Sequence, residues 1–439
     1  MTRASASPVS VASGLSGITT RGVGAVLQLG ITVLIGRSLG ASAVAIYIGI
    51  SVWFRIAEVL LGLGVGPQLL RDASRLPQGD SALSLFHSGE RAVRYMLAGS
   101  ALVGMVGAAV AVVLGRSDAA AVILIAGVGG TAAARVKLLA DVLKARRWSR
   151  AGLAFEFSVA PLVTMILVAV LVFAGGEATI VAWVVSYGFG VVVSMVGASL
   201  VLRTTQRTLA PVGAEPYSGR TAESRRFMNS ALVGFGLWSM PVLVVPLLVS
   251  GADAGRFSLS FRLLSVADLI LVGLAAVFAP VFSAAWADNR MTDLRRQFRN
   301  SRLLSVATFL PFVLGVVVFG RFVLGIFGEE FVSAYPILLI ASVGHVVNAL
   351  TGLVSELLLM TRAEDKELRI GLVAMGFMVI TLVPAAGLFG AAGAAAVYST
   401  SIVIKNGLAY FAVRTRLQVV AAQSFVSSAG DAAVSGPAM

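Results

Sequence analysis

The stretch SVWFRIAEVLL, Ser51–Leu61, sets Arg55 and Glu58 three residues apart in a run that is otherwise almost wholly apolar. Residues at that spacing are neighbours on a helix surface, so the two charges would share a face. The solvent that this face meets decides the fold. The chain has 439 residues, 58% hydrophobic and 13% charged, with a mean hydropathy of +0.92. A soluble domain is about half apolar and about a quarter charged. There is too little polar surface here to cover the chain in water, and a bilayer accepts the excess. The 47 glycines fit the same reading, because membrane helices use small residues where they pack closely. Cysteine is absent and His87 and His345 are the only histidines. Disulfides, thiol chemistry and histidine metal clusters are thereby excluded, and neither a metal site nor a cofactor is expected.

A spanning helix needs roughly 20 mostly apolar residues. Working outward from Arg55, such runs fall at 14–36, 43–66, 91–115, 119–143, 152–174, 178–202, 227–250, 256–284, 303–320, 332–360, 367–389 and 391–413. The expected fold is an all-α polytopic membrane protein with 12 transmembrane helices. An even number puts both termini on one side, and the bias of lysine and arginine chooses which. With the termini cytoplasmic, twenty-four basic residues fall inside and only Arg37, Arg116, Arg256 and Arg321 outside. The net charge of +13 is then a topological device that attracts anionic lipid headgroups; no nucleic acid is implied.

The polar, Ser-rich start reads as a cytoplasmic tail at 1–13, and Arg21 in the following apolar run argues against a signal peptide. Bundles of six helices at 14–202 and 227–413 flank a cytoplasmic linker at 203–226, which contains LAPVGAEPYSG and reads as flexible. The end, 414–439, is small, polar and expected to be disordered. The halves show a repeat. Tyr47–Leu61 aligned on Phe257–Leu271 puts Ala57 on Ala267 and Glu58 on Asp268, with Pro67 and Pro280 closing the apolar runs that follow.

Several stretches then resemble a known family. LIGRSLGASAVAIYIGIS (34–51) is similar to the connection between the first two helices of polysaccharide flippases, with GASA where that family has a proline. GADAGRFSLSFRLLSVADLI (251–270) resembles the family's eighth helix. VFAPVFSAAWAD, LRRQFRNSRLLSVATFLPF and VLGIFGEEFVSAYPILLI follow in the family's order, and VLKARRWSRAGLAFE resembles its fourth-to-fifth connection. The resemblance is to the MOP superfamily (multidrug/oligosaccharidyl-lipid/polysaccharide), in particular to Wzx-type flippases of lipid-linked oligosaccharides. It implies a MATE-like architecture, two six-helix bundles around a central cavity open alternately to each side.

A charge at the centre of a membrane helix costs about 2.5–3.5 kcal/mol on the insertion scale, so charges within spans face water or a partner. Helical phase puts Arg21, Gln28 and Thr32 on one polar stripe of the first span, and His345, Asn348, Gly352 and Glu356 on another of the tenth. Lys137 and Lys405, near the inner surface, are expected to snorkel, and Arg262, near the outer end of its helix, can do the same. Arg55 and Glu58 either neutralise each other or look into a wet cavity. Arg21, Gln28, Arg55 and Arg262 are the candidate substrate contacts; Glu58, Asp268, His345 and Glu356 are the candidates for coupling or gating. Proline residues 161, 241, 246, 280, 311, 336 and 384 lie in or near spans and are candidate kinks.

A cationic cavity suits a phosphate, because guanidinium groups offer paired donors. The resemblance therefore leads to a lipid-(di)phosphate-linked oligosaccharide, moved across the cytoplasmic membrane by alternating access for cell-surface polysaccharide biosynthesis. Proton or sodium coupling would run through Glu58, Asp268 or Glu356. Expected partners are the lipid-linked glycan, membrane lipids, a polysaccharide polymerase and glycosyltransferases. The resemblance also includes a multidrug cation antiporter, and peptidoglycan-precursor flippases, which usually have fourteen spans. A membrane glycosyltransferase or ligase would need a catalytic set at the outer surface, which the short outer loops do not offer; a transporter, not an enzyme, is expected.

Overall fold

The computed structural model describes residues 11–62, 82–115, 117–145, 148–206 and 221–434. Most of the N-terminal tail, most of the linker, Pro67 and the basic residues Arg71 and Arg75 lie outside the described residues. The described chain is helical: α1 Val11–Gly62, α2 Ala82–Val113, α3 Ser117–Leu124, a π-turn Ile125–Gly129, α4 Gly130–Ala145, α5 Ser149–Phe157, α6 Val159–Phe173, α7 Ile180–Gln206, α8 Thr221–Val244, α9 Gly251–Ala287, α10 Met291–Phe327, α11 Tyr335–Thr351, α12 Val354–Met360 and α13 Glu364–Val434. Short 3₁₀ turns, Val245–Leu247 and Glu329–Ala334, follow α8 and α10.

Among the described residues eight helices are long and apolar enough to cross a membrane, or nine if α5 and α6 form one bent span. Two of them are too long for a single crossing. The candidate span in α1 has 44 residues and that in α13 has 55, against roughly 20 needed. Each is broken by a glycine outside the helical region, Gly40 (φ +81°) and Gly390 (φ +59°). Splitting α1 and α13 at these glycines accounts for two crossings more than the eight or nine candidates; the apolar part of α8 with its 3₁₀ turn, Val233–Leu247, is shorter than a full span. Large apolar side chains stand exposed along them, among them Phe173, Leu247, Ile380 and Phe389, as lipid-facing residues should. Buried hydroxyls such as Thr32, Thr164, Ser194 and Ser401 donate to the carbonyl four residues back, which satisfies those hydroxyls in a dry interior.

The chain divides into two compact units: Met1–Arg262 with Arg321–Tyr335, and Leu263–Gly320 with Pro336–Met439. The core of the first joins Ala57 and Leu61 of α1 to Val93, Leu138, Leu139, Val142 and Leu202. In the second, Phe282, Leu294, Leu353, Leu357 and Val413 pack together. The last helix runs to Val434, where disorder was expected from 414. The segment is rich in Ala and Val and has no proline before Pro437, so no proline breaks the helix.

Of the proline residues, Pro241, Pro280, Pro311 and Pro384 lie inside continuous helices. Pro336 is the second residue of α11 and Pro246 sits in a 3₁₀ turn. The pronounced bend is near Pro161, where α5 and α6 meet at 46°. Pro161 has no N–H for the carbonyl of Phe157 and crowds it, so the helix opens there.

Within the first unit, the break at Gly40 is held from outside its own helix. The Ala41 N–H donates to Glu330 Oε1 at 2.8 Å, so a carboxylate caps the helix that restarts there. Arg37 Nε donates to the Ile326 carbonyl at 2.7 Å and Arg256 Nε to the Glu330 carbonyl at 3.0 Å. Glu330→Ala is expected to cost about 1–2 kcal/mol. Glu330→Gln, whose amide oxygen still accepts, should cost less than half of that. Thermal unfolding of the purified protein in detergent, followed by tryptophan fluorescence, measures both.

Candidate functional site

The bend at Pro161 builds the site in the first unit. The Phe157 carbonyl, released from its helix, is met by α1 at Gly24, where an added Cβ would lie 2.4 Å from that oxygen. Ser158 Oγ donates to the Thr20 carbonyl at 3.0 Å. Two guanidinium groups reach the Phe157 ring: Arg21 stands 5.0 Å and Arg55 4.4 Å from its centroid. An arginine on an aromatic face gains about 0.5–2 kcal/mol, more when desolvated.

Arg55 also donates through Nη1 to both Glu58 oxygens, at 3.1 and 3.3 Å, and through Nη2 to the Glu156 carbonyl at 3.3 Å. The sequence pairs Arg55 with Glu58; the structure adds four more charges. Lys144 Nζ lies 2.8 Å from Glu156 and 2.6 Å from Asp141, and Lys137 Nζ 2.6 Å from Asp141 and 3.5 Å from Glu156. Arg55, Lys137 and Lys144 thus balance Glu58, Asp141 and Glu156. Asp141 and Glu156 are the most deeply buried of the six, with side chains 2% and 5% exposed. Lys137 does not snorkel as expected, because two carboxylates within 4 Å hold it. The missed signal is one of spacing: Lys137, Asp141 and Lys144 at i, i+4 and i+7 share a helix face, and Glu156 is an isolated acid in an apolar run.

Arg262 and Gln28 are brought together as well. Arg262 Nη2 donates to Gln28 Oε1, which also accepts from Tyr47 Oη at 3.5 Å, while Gln28 Nε2 donates to Tyr187 Oη at 3.1 Å. Tyr187 stacks on Phe54 and meets Tyr47 edge-on. Arg262 does not snorkel either: it spends its donor on Gln28. Thr32, third on the expected stripe, is fully buried and bonded to its own helix. A pocket bordered by Arg55, Glu58, Glu156, Phe157, Tyr187 and Ser194 encloses about 370 Å³, open space included.

The second unit holds the other candidates in two places. His345 is fully buried, 3.3 Å from Asp268 through Nδ1 and 3.1 Å from Tyr398 Oη through Nε2. The expected stripe from His345 to Glu356 is interrupted: Gly352 (φ +74°) breaks the helix between α11 and α12. Glu356 instead has Lys405 and Glu367 as its charged neighbours. Lys405 is bound to Glu367 at 3.0 Å and to Ser355 Oγ at 3.0 Å, so it is paired and not snorkelling. No group of acidic and histidine side chains among the described residues could hold a metal ion.

No family model matches the sequence, and no curated protein matches it. The fold does have solved counterparts. A MOP superfamily transporter from Pyrococcus furiosus, described by the reversed polarity of its binding pocket, aligns at 13% identity over 93% of this chain and 95% of its own, with a TM-score of 0.66. The lipid II flippase MurJ, in an inward closed conformation, aligns at 12% identity over 98% and 94%, with a TM-score of 0.68. An inward-facing MATE family multidrug transporter aligns at 15% identity over 91% and 99%, with a TM-score of 0.64. The chain is therefore a multi-pass membrane protein with the MATE/MOP transporter fold.

Proposed function

We propose that this chain flips a lipid-(di)phosphate-linked oligosaccharide across the cytoplasmic membrane for cell-surface polysaccharide biosynthesis, with a polymerase and glycosyltransferases as partners. The observation that carries the reading is the charge of the first unit's site. Arg21, Arg55, Lys137, Lys144 and Arg262 stand against Glu58, Asp141 and Glu156, an excess of two positive charges. Three cations are matched by three acids, and Arg21, set against the Phe157 ring, is the phosphate contact of this reading. Guanidinium groups pair their donors with phosphate oxygens, which suits the phosphate end of a lipid-linked glycan. A lipid II flippase shares the fold, so an anionic lipid-linked cargo is compatible with it. Exposure of the site to the two leaflets in turn would complete the cycle.

One observation favours a second reading. The pocket wall itself carries Glu58 and Glu156 against Arg55 alone, and a cation exporter of the MATE kind would use such acids. Arg21 decides between the two. In a glycan-export assay at matched protein level, Arg21→Ala is expected to lower export at least tenfold and Arg21→Lys to retain an intermediate rate, because lysine keeps the charge and loses the paired donors. Full export by both variants overturns the phosphate contact. Unchanged surface glycan with heightened drug sensitivity, on deletion of the gene, would establish the antiporter instead.

A further inference from the structure

We propose that the turn joining α10 to α11, Arg321–Tyr335, is a strap that undocks from the break in α1 when the transporter changes state, with Glu330 as its latch. The stems and the tip of this hairpin belong to different units. α10 up to Gly320 and α11 from Pro336 onward lie in the second unit, whereas Arg321–Tyr335 lies in the first. The tip holds itself together. Arg321 stands over the Tyr335 ring at 5.2 Å, which ties its two ends. Between them the Gly328 N–H donates to the Gly325 carbonyl, the Phe331 N–H to the Gly328 carbonyl and Ser333 Oγ to the Glu330 carbonyl. The borders of the tip suit a hinge. Gly320 lies within α10, and glycine weakens a helix interior. Pro336 stands at the very start of α11, after a 3₁₀ turn, and such element ends absorb changes of backbone angle.

The tip docks on α1 between Gly36 and Ala41. A Cβ on Gly36 would lie 2.6 Å from the Phe327 carbonyl oxygen and 3.1 Å from the Phe331 ring, so the missing side chain is what admits the tip. Phe331 is fully buried there and Phe327 nearly so. The polar contacts lie beside them. Glu330 Oε1 accepts from the Ala41 N–H at 2.8 Å, and the Ile326 carbonyl from Arg37 Nε at 2.7 Å. The Glu330 carbonyl accepts from Arg256 Nε of α9 at 3.0 Å. One residue thus holds the tip to α1 by its side chain and to α9 by its main chain. The other passage of the chain between the units differs. α9 crosses from Arg262 to Leu263 without a break in the helix, and Gly255 sets its backbone hard against Ala41. That connection is rigid. The strap is the releasable one, because hydrogen bonds at partly exposed positions exchange for bonds to water at little net cost. Burial of Phe331 draws the tip back, so the strap has two states.

The absence of cysteine makes the test direct, since introduced thiols are the only ones. Ser38 and Glu329 are exposed positions on the two sides of the contact, and Ser38 Oγ donates within its own helix. Spin labels on Ser38→Cys and Glu329→Cys, in lipid nanodiscs, are expected to give two distances by electron paramagnetic resonance, the longer one in the minority. Glu330→Ala should raise the share of the longer distance about threefold or more, and Glu330→Gln, which keeps an acceptor, should raise it less. A cap with a structural role alone would lower thermal stability and leave one short distance. That result, or an unchanged distribution in Glu330→Ala, overturns the strap. Should Glu330→Ala fail to fold, the native pair decides: two distances support undocking and one short distance overturns it.

That undocking serves transport rests on the flippase reading. In proteoliposomes carrying a lipid-diphosphate probe, a short thiosulfonate cross-linker between the same two cysteines is expected to slow flipping by about tenfold or more. A reductant should restore the rate, and neither single-cysteine variant should respond. Undiminished flipping by the cross-linked protein overturns the strap's part in transport. No flipping of the probe by the native protein, with two spin-label distances present, sinks the cargo assignment and leaves the strap standing.

Discussion

Glu156→Ala is expected to be among the most destabilising single substitutions in the first unit, at about 3–5 kcal/mol. Glu156 is 2.8 Å from Lys144, 3.5 Å from Lys137 and 4.0 Å from Arg55, with its side chain 5% exposed. Its removal leaves three cations facing Glu58 and Asp141, so one buried positive charge loses its counterion. The penalty comes from that stranded charge and not from the value of any one bond. It is large against a typical total stability of about 5–15 kcal/mol. Glu156→Gln, which strands the same charge but keeps the shape and an acceptor, should lose less. Adding Lys144→Met to Glu156→Gln brings three positive and two negative charges to two of each and is expected to recover at least half of the loss. The double-mutant cycle, read as thermal unfolding in detergent at matched lipid, checks each step. Stability of Glu156→Ala within about 1 kcal/mol of the native protein would show that water already solvates the cluster.

The sequence shows the all-helical membrane class because that depends on composition over long windows. It also shows that Arg55 and Glu58 share a face, since that follows from helical spacing alone. The tertiary partners are hidden for a physical reason. Glu156 reaches Arg55 only because Pro161 bends its helix, and Gly24 lets α1 approach the bend; neither fact has a spacing signature. Lys144 looks like an ordinary inner-loop charge, yet it is drawn into the cluster by Asp141 one turn before it. Phase reasoning fails on the tenth span because it assumes an unbroken helix, and Gly352 ends one. Asp268 aligned on Glu58 in the repeat hints at a second polar centre in the other half. His345, as its partner, is invisible in a single sequence because it comes from a distant helix.

Gly255→Leu is expected to abolish accumulation of folded protein. A Cβ on Gly255 would lie 2.0 Å from the Ala41 carbonyl oxygen and 2.4 Å from its carbon, far inside any real contact. Small residues let membrane helices approach this closely. Overpacking costs about 1–3 kcal/mol where neighbours can shift, and occasionally more. Here the neighbour is held. Ala41 has its N–H bound to Glu330 and follows Gly40, whose φ of +81° disfavours other residues. Any movement of the Ala41 carbonyl away from a new methyl group therefore strains the cap. Gly255→Ala alone should cost more than 3 kcal/mol, and part of that cost should vanish in a background of Glu330→Ala, where the cap is already gone. Gly49 is the control. Nothing lies within 4 Å of its Cβ position, so Gly49→Ala is expected to be neutral or to stabilise by up to about 1 kcal/mol through helix propensity. Fluorescence-detected size exclusion of the four variants compares them directly. Equal yields for Gly255→Leu and Gly49→Ala would mean that the restarted α1 and α9 do not pack through Gly255.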